Sequence, residues 1–410
     1  MRAKVERRSK RWSQQRWLLD TVLATIGVEW DQERLAHYAR PAGPAAAGVF
    51  RAAGARMKKF SDCHREFAAA GRRIEARAKA YEADGRTIPA RENYIMASLL
   101  WSAARWPLYE IDNRYRDYEA HIDSCYDKYM KFAPHPVTRI DISFGDNALS
   151  GLLHLPYESA AGQKFPCVIN IGGMDGCKEN VVYMYGDPWL ERGIAILAMD
   201  GPGQGVCPGR GIFVTPTNHG DAAVATVDWL EQHPAIDPDR LAIRATSFGT
   251  NFSIHAAAAL GDRIKGLAQA FVIHEPGCFA IFNAASPTFR MRFMFMANVT
   301  DDDEFDAFAE GFDVRDQAAQ IKCPVLICAG EDDELSPIEN TDDIYERINA
   351  PKKLVVYEGG KHSMGAASSV QLGENFGVLT AEWVSDRLNN VPSEPDANIL
   401  VDMYGKTNTR

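Results

Sequence analysis

The sequence predicts an α/β fold, with a mostly parallel central sheet and helices on both faces. A helical N-terminal domain is expected over residues 1–135 and a sheet domain over residues 136–410, with a helical insertion at 274–321. Three observations lead to this. No strand pattern appears before Val137. From Phe165 onward, short apolar runs alternate with longer helical segments, as parallel strands joined by crossover helices require. One of those runs ends in a small-residue turn built around a serine.

The elements follow in order. Residues 1–12 are rich in Arg and Lys and read as a solvated helix start rather than a basic binding arm. Residues 41–48 place two prolines and two glycines among alanines, a joint between helices. Residues 51–80 and 90–104 carry apolar side chains at three- and four-residue spacing, the mark of amphipathic helices. The segment 137–144 then alternates with period two, and Leu152-Leu153-His154-Leu155 pairs with it across a turn. Strands are expected at 165–171, 194–199, 241–243, 267–273, 324–329 and 353–357. The interval 274–321 breaks the alternation. Its Phe279, Phe282, Phe289, Met291 and Phe293 suggest a lid lining an apolar pocket, or a packed extension or dimer contact. The segment 94–109, with Trp101 and Trp106, supplies either the opposite wall or interdomain core.

Behind Leu241-Ala242-Ile243 comes Arg244-Ala245-Thr246-Ser247-Phe248-Gly249. A strand that turns sharply into a helix with serine at its apex needs small residues two before and two after, here Ala245 and Gly249. This is the pattern of a nucleophile elbow. A serine hydroxyl is a weak nucleophile and needs a base within hydrogen-bond reach, itself oriented by a carboxylate. Asp333 follows the strand 324–329 in a Gly-x-x-Asp spacing, with Asp332 and Glu334 open as alternatives. His362 follows the strand 353–357 in a glycine-flanked loop. The expected triad is therefore Ser247, Asp333 and His362. His219 and His233 lack such context and are expected at the surface.

Acyl chemistry also needs N–H groups aimed at a developing oxyanion. One is expected from Phe248, after the nucleophile. The other comes from Gly172-Gly173-Met174-Asp175-Gly176 after the strand 165–171, from Met174 or else Gly173. Asp175 lies beside this hole. It either faces the substrate, where burial would let it hold or transfer a proton, or caps a helix. Asp200-Gly201-Pro202-Gly203-Gln204-Gly205 lacks the spacing of a phosphate or dinucleotide loop and reads as a tight turn near the cleft.

Composition narrows the classes. A chain of 410 residues with 46% hydrophobic content holds one large domain and a smaller one. A net charge of −10 argues against nucleic acid or an anionic membrane as partner. There is no run long enough to span a bilayer and no signal-peptide pattern. The eight cysteines show no C-x-x-C pair and no metal-ligand cluster, so reduced thiols and a cytoplasmic location are expected, with no metal and no cofactor. Cys167, Cys323 and Cys328 read as small buried hydrophobes.

With these residues in hand, the chain resembles a branch of the α/β-hydrolases. That branch holds 2,6-dihydroxypseudooxynicotine hydrolase, the FrsA-like esterases and the fungal pigment hydrolases that shorten polyketides. The likeness covers roughly residues 90–410 and rests on Gly172-Gly173-Met174-Asp175 with Lys178-Glu179, on the Asp200–Gly205 string, on the Ser247 elbow, and on Asp333 and His362. It implies an α/β-hydrolase fold, a helical N-terminal region closing over the active site, and a homodimer. It further implies hydrolysis of a carbon–carbon bond next to a carbonyl in an aromatic or polyketide-like substrate, with carboxylester cleavage as the alternative and a non-catalytic binding protein as the competitor. The family's pocket glutamate after Gly-Gly-x maps onto Asp175, one methylene shorter, and Ala245 replaces the elbow's usual glycine. Substrate-binding residues are then expected at Asp175, Trp101, Phe279 and Phe282.

Overall fold

The computed structural model describes residues 10–160 and 162–410. The basic stretch 1–9 lies outside the described residues. Arg11, just inside the first helix, bonds to Asp306 and Asn283 and so does not reach freely into solvent.

Six helices come first: α1 (Lys10–Thr25), α2 (Arg34–Ala39), α3 (Pro44–Gly54), α4 (Phe60–Ala83), α5 (Thr87–Arg105) and α6 (Asn113–Phe132). The Pro/Gly segment joins α2 to α3 through a single 3-10 turn, Arg40–Ala42. Proline at the first turn of α3 costs no hydrogen bond there.

The sheet has ten strands: β1 (Val137–Phe144), β2 (Asn147–His154), β3 (Phe165–Ile171), β4 (Ala195–Asp200), β5 (Ile236–Thr246), β6 (Leu267–Ala270), β7 (Val325–Gly330), β8 (Lys352–Tyr357), β9 (Ala397–Val401) and β10 (Thr407–Thr409). Their order is β1-β2-β4-β3-β5-β6-β7-β8-β9-β10. Every pairing from β4 to β9 is parallel, while the β1–β2, β2–β4 and β9–β10 pairs are antiparallel. The hairpin register Ile140↔Gly151 matches the expected β1–β2 pairing. The strands β9 and β10 were not expected. They are short, and β10 is an exposed polar edge, Thr-Asn-Thr, which carries no apolar alternation to read.

The chain moves from β3 out to β4 and then back past β3 to β5. The loops after β3 and β5 therefore leave the sheet side by side at a topological switch point, where ligands of open α/β sheets bind. α7 (Asn218–Glu231) precedes β5 and α8 (Phe248–Leu260) follows it.

Side chains alternate across the sheet. Val168, Ile196, Ala242, Ala268, Leu326 and Val355 face one apolar layer with Trp189, Leu379 and Val384. The other face belongs to a single apolar interior running from Leu19 in α1, Phe67 in α4 and Tyr126 in α6 through Ile169 and Ile243 to Phe252 in α8. Helical domain and sheet thus share one core. The insertion 274–321 is helical, with a π-helical turn Ala280–Ala284, α9 (Pro287–Ala297) and α10 (Asp302–Ala309).

Candidate active site

The turn at the end of β5 forces Ser247 to φ 54° and ψ −133°, a backbone region that a residue with a Cβ rarely enters. The turn also fixes its neighbours. A Cβ on Gly249 would lie 2.2 Å from the Ile171 carbonyl oxygen, and one on Gly173 would lie 2.7 Å from the Ser247 Cβ. Glycine is therefore required at both positions for the elbow and the loop after β3 to touch.

Ser247 Oγ lies 3.0 Å from His362 Nε2. On the other side of the ring, His362 Nδ1 lies 2.9 Å from Asp333 Oδ2. Asp333 Oδ1 also accepts from the N–H groups of Leu335 and Ser336, at 2.9 and 3.2 Å, which fixes the carboxylate. Asp332 is exposed, and Glu334 accepts only the backbone N–H of His362, so neither takes the place of Asp333 at the ring. Burial works against a protonated His362. The Asp333 carboxylate more than offsets it, and the imidazole titrates above its ordinary value.

The loop 172–176 lies directly against Ser247. Gln204 Nε2 donates to the carbonyls of Gly172 and Gly173, at 2.6 and 2.9 Å, and its Oε1 accepts the Gly201 N–H. The Asp200–Gly205 string is therefore more than a turn, because it braces the glycine loop. Its Asp200 receives the Lys178 ammonium at 2.9 Å and the Lys178 N–H at 2.8 Å, all fully buried. A Cβ on Gly205, at φ 47°, would strike the Asp200 carboxylate at 2.0 Å. The N–H of Phe248 opens α8 and has no helical partner of its own. The N–H of Met174 bonds to no other group of the described residues.

A cavity of about 230 Å³ opens on Ser247 and His362, near the lower end of the range for small-molecule sites. Gly173, Met174 and Asp175 line it. Asp175 Oδ2 accepts from Arg34 Nη1 at 2.8 Å and Asp175 Oδ1 from Trp106 Nε1 at 3.0 Å. It caps no helix. Arg34 also pairs with Asp31 at 2.9 Å and lies 4.1 Å over the Trp106 ring. The helical N-terminal region thus supplies part of the site wall.

A family sequence model described as "Esterase FrsA-like" matches residues 65–341, well over half of the chain. The chain belongs to the FrsA-like esterase family. Membership places it among the hydrolases. The esterase FrsA of Yersinia pestis (strain Pestoides F) is 24% identical over 311 residues, 73% of this chain and 71% of that protein. The esterase FrsA of Photobacterium profundum is 24% identical over 200 residues, 49% of this chain and 46% of that protein, so the match spans less than half of that relative. Among solved structures, 2,6-dihydroxy-pseudo-oxynicotine hydrolase superposes with a TM-score of 0.69 at 23% identity, covering 80% of this chain and 90% of that one. AbyA5 superposes with a TM-score of 0.61 at 16% identity, covering 94% and 100%. Both share the α/β-hydrolase fold with this FrsA-like chain.

Several expected positions fall elsewhere. Trp101 is buried in the helical domain, bonded to Glu75 and stacked on His121, and does not line the cavity. Phe279 is 63% exposed, because the 3-10 turn before it points it outward. Phe282 is buried behind the cavity wall, packed with Phe248, Phe293 and Phe305. From the insertion only Ile281 and Phe289 reach the cavity. His219 is buried rather than at the surface, stacked 3.7 Å from Phe252, with Nε2 3.1 Å from the Pro202 carbonyl. His233 is partly exposed. Arg34, His37, Tyr38 and Arg244 also stand on the cavity wall and were not expected there. Only Arg244 carried a signal, as a charged residue between the apolar run 241–243 and the serine turn. All eight cysteines are buried and free. Among the described residues no helix is long and apolar enough to cross a membrane.

Proposed function

We propose that this FrsA-like chain is a serine hydrolase in which Ser247 attacks a carbonyl carbon. The observation that carries the reading is the run of contacts from Ser247 through His362 to Asp333, opening into a cavity. His362 Nε2 takes the hydroxyl proton as Oγ forms its bond to carbon, and Asp333 holds the ring and offsets its charge. The N–H groups of Met174 and Phe248 stabilise the oxyanion. Collapse of the tetrahedral adduct breaks the bond to the leaving group, which takes the proton from His362. Water then loses a proton to His362, attacks the acyl-enzyme, and releases a carboxylic acid as Ser247 regains its proton.

The bond we propose is a carbon–carbon bond next to the carbonyl of an aryl ketone or β-dicarbonyl, whose leaving carbanion is resonance-stabilised. An acid beside the oxyanion loop, Asp175, supports this, as does the shared fold with a protein named for pseudo-oxynicotine hydrolysis. A second reading, carboxylester hydrolysis, is favoured by the Arg34–Asp175 pair. Both Asp175 oxygens already accept hydrogen bonds, and an alkoxide leaving group needs no acid beyond His362.

A substrate panel decides between them. Turnover of acyl-phenols and β-diketones at rates above those of p-nitrophenyl esters supports carbon–carbon cleavage, and ester turnover alone removes it. Labelling by a fluorophosphonate in the wild type, lost in Ser247→Ala, checks the nucleophile. Absence of labelling and of all turnover removes the hydrolase reading.

A further inference from the structure

One end of the cavity carries two further arginines, Arg244 and Arg40. Arg34 is neutralised by Asp31 and Asp175. Arg244 and Arg40, which also line the cavity, make no ion pair within the described residues. Arg244 stands in β5 beside Asn170 of β3, and among the described residues its guanidinium bonds only to Asn170 Oδ1, at 2.7 Å. Its remaining N–H groups are not sealed in the interior. Asp187, whose charge favours the Arg244 cation, accepts from the backbone N–H groups of Tyr183, Trp189 and Leu190.

The other polar groups at this end do not supply a counter-charge. His37 is exposed at the rim and, as an imidazole, supplies no negative charge. Its Nε2 is taken by the Asn180 amide at 2.8 Å. Burial pushes the Arg244 guanidinium below its ordinary range against the opposing influence of Tyr183 and Asp187, and the like charge of Arg40 adds a smaller push. A guanidinium still remains charged. Glu33 is the other carboxylate on the wall besides Asp175, and it lies toward Gly365. A partly desolvated arginine next to a second arginine, with no carboxylate of its own, is an unfavourable arrangement until an anion arrives.

We propose that Arg244, with Arg40 beside it, anchors a carboxylate on the substrate. The guanidinium fork matches a carboxylate in plane. Arg244 lies in β5 and Ser247 on the turn after it, three residues on, so their backbones are within about 10 Å and both residues border the cavity. The substrate is therefore a carbonyl compound with a carboxylate several bonds from the carbon that Ser247 attacks. Arg244 is a specificity residue and takes no part in bond breaking. The proposal rests on the hydrolase reading for the position of the reacting carbonyl.

The test compares p-nitrophenyl hemiesters of adipic and suberic acids with p-nitrophenyl hexanoate and octanoate. In the wild type the carboxylate-bearing esters are expected to have kcat/KM at least about tenfold higher, the lower end for a charge-assisted contact. In Arg244→Gln this ratio falls toward one, chiefly through KM, and Arg244→Lys retains part of it. Arg40→Gln, at an exposed position, lowers the ratio less and serves if Arg244→Gln fails to fold. Binding is read separately by calorimetry on Ser247→Ala, where adipate should bind at least about tenfold more tightly than dimethyl adipate. If neither ester class is turned over, the ester-cleaving reading fails while the calorimetry still decides the anchor. A wild type that prefers the neutral esters, a ratio unmoved in both Arg244→Gln and Arg40→Gln, or equal binding of adipate and its diester overturns the proposal.

Discussion

Arg34 Nη1 donates to Asp175 Oδ2 at 2.8 Å, across the seam between the helical domain and the loop after β3. The same guanidinium holds Asp31, and the side chains of Arg34 and Asp31 are 5% and 7% exposed. Replacing Arg34 by Met leaves the buried Asp31 with no ion pair among the described residues and Asp175 with only Arg292, at 3.9 Å. The expected cost is about 3–5 kcal/mol of stability, as for a buried pair broken on one side. Asp175→Asn keeps a hydrogen-bonding side chain at the seam and costs less. Thermal unfolding of the two variants should rank them in that order.

The titration of His362 sets a pH dependence. Only the neutral imidazole accepts the Ser247 proton, and its pKa is held above the ordinary 6.5 by Asp333. The acid limb of kcat/KM should therefore fall above pH 6.5. The sign for stability is opposite. The protonated ring is favoured in the folded state, so its contribution is full below 6.5 and is lost as pH rises through the raised value. Asp333→Asn removes the counter-charge and leaves burial, so the limb moves to lower pH and the rate falls by about 10⁴. A pH–rate profile of both proteins reads this directly.

Ser247 holds a backbone conformation with φ 54° that glycine adopts freely. Ser247→Gly should abolish turnover and yet unfold at higher denaturant. The gain is about 1 kcal/mol, after the relieved strain is set against the flexibility glycine adds to the unfolded chain. A urea titration beside an activity assay checks both halves. A stability loss in Ser247→Gly contradicts the strain argument.

Gln204 carries the brace on the oxyanion loop. Gln204→Ala unpairs two carbonyls and lets the loop drift, so kcat should fall by about 10- to 1000-fold, the range for a disturbed oxyanion hole, with KM little changed. Gly173→Ala should be worse, since its Cβ would meet the Ser247 Cβ at 2.7 Å. Steady-state kinetics on folded samples of both variants distinguish a drifting loop from a displaced nucleophile.

Much of this was legible in the sequence because it is local. The strands β3, β7 and β8 are short apolar runs bounded by turns, and their limits were readable within a residue or so. Ser247, Asp333 and His362 each sit just past such a run, so their meeting followed from topology. The cavity wall was not legible in the same way. Trp101 and Phe282 are large and apolar, and size alone does not say whether such a side chain faces a cavity or the core behind it. Arg34 and His37 sit on a six-residue helix that gains its meaning only by docking on a loop far along the chain. Gln204 looked like part of a turn because its partners, the Gly172 and Gly173 carbonyls, lie some thirty residues earlier.

The apolar interior that runs unbroken from α1 to β5 has a mechanical consequence. A cover joined to its base by continuous close packing cannot swing as a rigid flap without wetting that whole layer. Admission of ligand then falls to small gates at the rim, where α2 and its neighbouring loops meet the sheet's carboxyl ends.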